Sequence, residues 1–222
     1  MVNRSINGKD PAQLSFDWVQ TATTALFNQR FQSKALFLLK PPQPVGEQIF
    51  ADTCRHAGGR THREAYPADL LHITLFCVGC FRTLPEGLLG RIQKAMDEIR
   101  ARPIPVALDR SAIFGDRASL VLKSSYDTVE IEGLSRILQR HLRKKNLPFV
   151  QIGPSVPHIT TIYGCGNIDT MPITQPYCWT ADNFELVFSH YGQTRHEELG
   201  RWSLSTQADD YERPARQLAF AH

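Results

Sequence analysis

A chain of 222 residues, 42% hydrophobic and 21% charged, carries enough apolar material for a substantial core and enough charge to remain in water. Its formal charge of +3 suits a polyanionic ligand without selecting one, and five cysteines, an odd number, argue against a disulfide framework. No apolar run approaches the roughly 18 residues needed to span a bilayer, and the opening stretch lacks the apolar centre of a secretory signal, so a cytoplasmic protein with no membrane association is expected.

The first 32 residues are polar and mixed, and one weakly amphipathic stretch, Phe16 to Phe31, reads as a helix on an N-terminal extension. The run from Lys34 to Lys40 reads as a buried strand closed by Pro41 and Pro42. Gly46 to His56 can form a helix, Arg60 to Pro67 is a polar, basic loop, and Leu70 to Val78 is a second strand. From Glu86 to Ala101 strong helix formers place Leu88, Leu89, Ile92, Met96 and Ile99 on one face. Pro103 to Phe114 and Ser119 to Ser124 read as strands joined at Gly115-Asp116, and Val129 to Lys145 returns to helical spacing through Leu134, Ile137, Leu138 and Leu142. Strands follow at Pro157 to Tyr163, Phe184 to Tyr191 and Arg201 to Ser205, and residues 207–222 form a C-terminal tail. The order strand, helix, strand occurs twice, which points to a duplicated α+β domain over residues 33–206 rather than to a doubly wound α/β sheet.

Within the two repeated strands lies the same triplet. His72-Ile73-Thr74 and His158-Ile159-Thr160 are both H-I-T, whereas this composition yields roughly a few hundredths of an H-I-T by chance. On a strand, residues i and i+2 share a face, so each His stands beside its Thr while the isoleucine between them points into the core. Two imidazoles and two hydroxyls on one cleft suit in-line phosphoryl chemistry. One histidine can deprotonate the attacking oxygen and the other protonate the leaving oxygen, while the hydroxyls donate to the non-bridging oxygens. Neither motif carries an Asp, Glu or Cys on its His-Thr face, and Cys77 and Cys80 lack a second such pair, so no metal or other cofactor is expected.

These residues resemble the two-histidine (2H) phosphoesterase superfamily, and within it the bacterial RNA 2',3'-cyclic phosphodiesterases, also called the 2'-5' RNA ligase family. The resemblance spans roughly residues 34–206. It rests on both H-x-T motifs, on Pro67-Ala68-Asp69 leading into the first, on Gly79 closing that strand, and on Pro157 before the second. The segments Phe184-Glu185-Leu186-Val187 and Leu199-Gly200-Arg201-Trp202-Ser203-Leu204 are similar to the closing strands of the family. The resemblance implies a bilobal α+β fold with two antiparallel sheets flanking a central cleft and helices outside. It also implies metal-free hydrolysis of a 2',3'-cyclic phosphate on RNA ends or small nucleotides, with His72 as acid, His158 as base, and Thr74 and Thr160 binding phosphate. Processing of 2'-5' linkages or cyclic oligonucleotides by the same residues, and a non-catalytic nucleotide-binding module, are the alternatives. Many family members resemble H-I-T-L-A-R at the second motif, whereas Thr161, Ile162 and Tyr163 follow here.

Four further residues are candidates for substrate contact. Phe76, two positions beyond Thr74 on the face that strand parity gives it, could stack a base. Tyr163 lies on the face opposite His158 by the same parity, and is a candidate only because strand ends twist. Arg60 and Arg63, in the loop before the first motif, could bind phosphate. The basic run Arg140, His141, Arg143, Lys144 and Lys145 is accounted for by its place at the end of a helix.

Overall fold

The computed structural model describes residues 33–115, 118–125, 128–150, 156–190 and 192–205. The helix expected at Phe16 to Phe31 and the C-terminal tail lie outside them.

Strands of five to nine residues, mostly apolar except for the polar last one, build the main sheet. Its strands are β1 (Ser33–Leu39), β2 (Ile73–Phe81), β4 (Arg110–Phe114), β5 (Ser119–Lys123), β6 (His158–Ile162), β8 (Asn183–His190) and β9 (Arg195–Ser203). They are ordered β4-β5-β6-β2-β1-β8-β9, and every neighbouring pair is antiparallel. A separate two-stranded sheet pairs β3 (Ile104–Leu108) with β7 (Tyr177–Ala181). Among the described residues there are three α-helices, α1 (Gln43–Ala57), α2 (Glu86–Met96) and α3 (Val129–Lys144).

The duplication is visible in the pairing. β1 lies between β2 and β8, as β5 lies between β6 and β4, and the two halves meet where β2 and β6 pair at Ile73 and Ile159. The strands of both halves are therefore hydrogen-bonded into one sheet, with the two H-I-T motifs at its middle.

One face of that sheet carries the main core. Ala35, Phe37, Leu39, Ile73, Phe76, Ile159 and Ile162 join Ile49 of α1, Ile92 and Met96 of α2, and Leu134, Leu138 and Leu142 of α3 in a single core. The small sheet adds Val106, Leu108 and Trp179. Each of the larger side chains contributes about 1.5–3 kcal/mol of burial free energy, which fixes the helices to this face. On the other face only a small cluster forms, from Leu36, Leu38, Cys77, Val150 and Val187.

Two differences from the sequence reading have local causes. The stretch from Pro103 to Phe114 is two strands in two sheets, because Asp109 between them turns its carboxylate onto the backbone N–H and hydroxyl of Ser125. The helix expected to reach Ala101 ends at Met96, where the Asp97 and Glu98 backbone N–H groups donate to the Gln93 and Ala95 carbonyls of the last turn and Trp202 Nε1–H donates to the Asp97 carboxylate at 2.8 Å. The cysteines are all free, with Cys77, Cys80 and Cys165 buried and Cys54 and Cys178 exposed. Among the described residues no helix is long and apolar enough to cross a membrane.

Candidate active site

The site is built by register. Ile73 and Ile159 are directly paired and fully buried in the core. In an antiparallel pair the flanking positions then set His72 beside Thr160 and Thr74 beside His158, all four on the face opposite the isoleucines. A two-fold axis through the Ile73–Ile159 pair exchanges the two motifs. His72, His158 and Thr160 are partly exposed and Thr74 is exposed, so the four groups are open to a ligand.

Each imidazole is held in the same way. His72 Nδ1–H donates to the Leu70 carbonyl at 2.7 Å and His158 Nδ1–H to the Val156 carbonyl at 2.7 Å, in both cases two residues back. Because a carbonyl can only accept, these bonds place the proton on Nδ1 and leave Nε2 of each ring for a ligand. Burial lowers the pKa of His72 below the ordinary imidazole value; the Leu70 bond opposes this, while the charges of Lys40 and His158 reinforce it. Both rings are braced from the side. His196 stands edge-on to His72 with centroids 5.1 Å apart, and Phe114 stands edge-on to His158 at 5.0 Å.

Directly after each H-I-T the strand contains one extra residue. Leu38 pairs with Thr74 and Phe37 with Phe76, so Leu75 is a β-bulge in β2. Val121 pairs with Thr160 and Leu120 with Ile162, so Thr161 is the matching bulge in β6. The bulge carbonyls are satisfied from elsewhere: Ser135 Oγ–H of α3 donates to Leu75 O at 3.0 Å, and Tyr66 N–H donates to Thr161 O at 2.7 Å. A bulge shifts the alternation of side chains by one, and here it reverses two expectations.

Phe76, expected beside Thr74, lies on the opposite face. It is 2% exposed, and packs on Phe37 at 4.9 Å and Phe149 at 6.2 Å within the core. No base can stack on it. Tyr163, expected on the face opposite His158, is carried by the bulge to the motif's own face, where its ring, 51% exposed, meets Tyr66 edge-on at 5.2 Å.

The remaining candidates make local contacts. Arg60 folds back on α1, donating to His56 O at 2.6 Å and contacting His56 Nδ1 at 3.1 Å. Arg63 is exposed in the following loop. In the basic run at the end of α3, His141 and Lys145 pair with Glu98 at 3.1 and 2.7 Å, and Arg143 lies over the Phe149 ring.

Three residues at the site have no signature in the sequence: Lys40, Phe114 and His196. Lys40 Nζ is 3.3 Å from the buried Glu185 carboxylate, which Arg201 also contacts at 3.0 Å. Burial, His72, Lys40 and His190 push the pKa of His196 down to about 4. Among the described residues no three His, Cys, Asp or Glu side chains converge as a metal site requires.

No protein-family model matches the chain and no curated protein matches it. Solved structures do. Escherichia coli LigT complexed with ATP superposes with a TM-score of 0.65 at 20% identity, covering 78% of this chain and 99% of LigT. A crystal structure described as a phosphoesterase gives 0.65 at 21% identity, covering 78% of this chain and 99% of its own. The Thermus thermophilus protein TT0787 gives 0.60 at 19% identity, covering 77% and 97%. At these identities the likeness is one of fold, and the chain has the α+β fold that LigT and this phosphoesterase share.

Proposed function

We propose that the protein is a metal-independent phosphodiesterase that hydrolyses a 2',3'-cyclic phosphate on an RNA end or a small nucleotide. The observation that carries this reading is the pairing of Ile73 with Ile159, which sets two His-Thr pairs on one open face about a two-fold axis. LigT, whose fold the chain shares, has been crystallised with 3'-AMP and with ATP, so a nucleotide ligand is consistent with the fold.

In this reaction Thr74 and Thr160 donate hydroxyl hydrogens to the non-bridging phosphate oxygens, and the two Nε2 atoms lie towards opposite ends of the phosphate. His158 Nε2 removes a proton from water as its oxygen bonds to phosphorus. The bond from phosphorus to the 3'-oxygen breaks, and His72 Nε2–H protonates that oxygen. The products are a 2'-phosphate and a free 3'-hydroxyl. The direction of the two roles follows the family resemblance.

The acid role needs His72 charged, since its Nδ1–H is already held by Leu70. In the free protein burial and Lys40 oppose that charge. A bound phosphate anion favours it, so substrate binding itself loads the acid.

The test is incubation of a 2',3'-cyclic nucleotide with the protein in excess chelator, followed by phosphorus NMR. The 2'-monophosphate is the expected product. No turnover, or turnover only with added divalent metal, would overturn the reading.

A further inference from the structure

A cavity of about 710 Å³ opens at the end of β1, walled by Lys40 and Leu71, the residue directly before His72. The β7–β8 corner from Thr180 to Asn183 also lines it. Ligand pockets commonly occupy about 300–1,000 Å³, and this one begins one residue from an imidazole assigned to the leaving oxygen.

Its charges state what it can hold. Four carboxylates line it, from Glu47, Asp69, Asp182 and Glu185, against the two cations Lys40 and Arg201. Both cations are already engaged: Glu185, buried, contacts Lys40 Nζ at 3.3 Å and Arg201 Nη2 at 3.0 Å, and the same Arg201 nitrogen contacts Glu198 at 2.7 Å. A phosphate chain would meet excess negative charge with no unengaged cation to bind it. A neutral group rich in hydroxyl and N–H donors meets acceptors instead.

The geometry points to this cavity as the subsite for the nucleoside whose 3'-oxygen leaves the scissile phosphate, held through its base N–H groups and, in a mononucleotide, its 5'-hydroxyl. This assignment rests on the phosphodiesterase reading above and on His72 standing on the leaving-oxygen side. It makes the nucleoside, and not a further phosphate, the source of substrate selectivity.

Thr180→Trp, at an exposed position on the cavity wall, and Asp182→Ala test it. Adenosine 2',3'-cyclic phosphate is compared with glycerol 1,2-cyclic phosphate, which has the same reacting ring and no base. The wild type should prefer the nucleotide in kcat/KM by at least about tenfold, which is about 1.4 kcal/mol. Thr180→Trp should abolish most of that preference through KM, and Asp182→Ala should lower it severalfold. Equal losses on both substrates, or an undiminished preference in both variants, would overturn the assignment. Titration of adenosine alone, followed by NMR, separates this assignment from the functional reading. Saturable binding to the wild type that Thr180→Trp abolishes supports the subsite even if no cyclic phosphate is hydrolysed, and absence of binding to the wild type overturns it.

Discussion

The proposed reaction gives the four motif side chains different tasks, and substitution should separate them. His72→Ala or His158→Ala removes a proton-transfer group and should lower turnover by about 10² to 10⁴-fold. Thr74→Val or Thr160→Val removes one donor to the phosphate and should cost about 10² to 10³-fold at most. A substrate with a phenolic leaving group needs no acid, so an aryl phosphodiester should restore much of the loss in His72→Ala and little of that in His158→Ala. The opposite pattern would exchange the roles. The pH profiles carry a further sign. Because burial and Lys40 hold His72 low in the free protein, the alkaline limb of kcat/KM, which reports the free enzyme, should lie at lower pH than the alkaline limb of kcat, where the bound anion raises the same group. Coincident limbs would show that substrate does not load the acid.

At the scale of elements the two bulges decide which side chains share a face with the motifs. Ser135→Ala leaves the Leu75 carbonyl without its hydroxyl donor and should destabilise the fold by about 1 kcal/mol in denaturant unfolding. Gly200 in β9 is a second constrained point, since an added Cβ there would run into the Trp202 ring, which stacks on Phe184 at 5.4 Å. Gly200→Ala should cost about 1–3 kcal/mol in the same experiment. These elements also show how far sequence reasoning reaches. The strand-helix-strand order and the common face of each His and Thr follow from local periodicity, and the structure has both. The exchange of Phe76 and Tyr163 does not, because each bulge carbonyl is satisfied by a residue far away in the chain, Ser135 or Tyr66. The break at Asp109 is likewise held by Ser125, sixteen positions on. The strand Tyr177–Ala181 is different: its alternation of buried Tyr177, Trp179 and Ala181 with exposed Cys178 and Thr180 is present in the sequence but is short and follows Pro176. Lys40 and His196 reach the site by the curvature and pairing of distant strands, for which no local pattern exists.

At the scale of the whole molecule, duplication places one H-I-T motif in each half, and the sheet's central Ile73–Ile159 pairing aligns the two. Stability should carry the mark of burying imidazoles beside one another. His196, at about 4 in the folded protein against an ordinary 6.5, stays neutral where the unfolded chain is protonated, and His72 is shifted in the same direction. The unfolded state therefore binds more protons between those values, so stability should rise with pH from about 4 to about 6.5 and level off above. Thermal melts should show the rise in the wild type and a smaller one in His196→Leu. The central claim is that His72 and His158 act as one acid-base pair without a metal, and its most direct test is a double-variant comparison. Hydrolysis of a 2',3'-cyclic nucleotide in excess chelator is measured for wild type, His72→Ala, His158→Ala and the double variant, all verified as folded by their melts. Both single variants should fall by at least about 10²-fold and the double variant should be little slower than the slower single one, because groups that serve one coupled event do not contribute additively. Single variants that keep near wild-type rates would contradict the pairing of these two histidines.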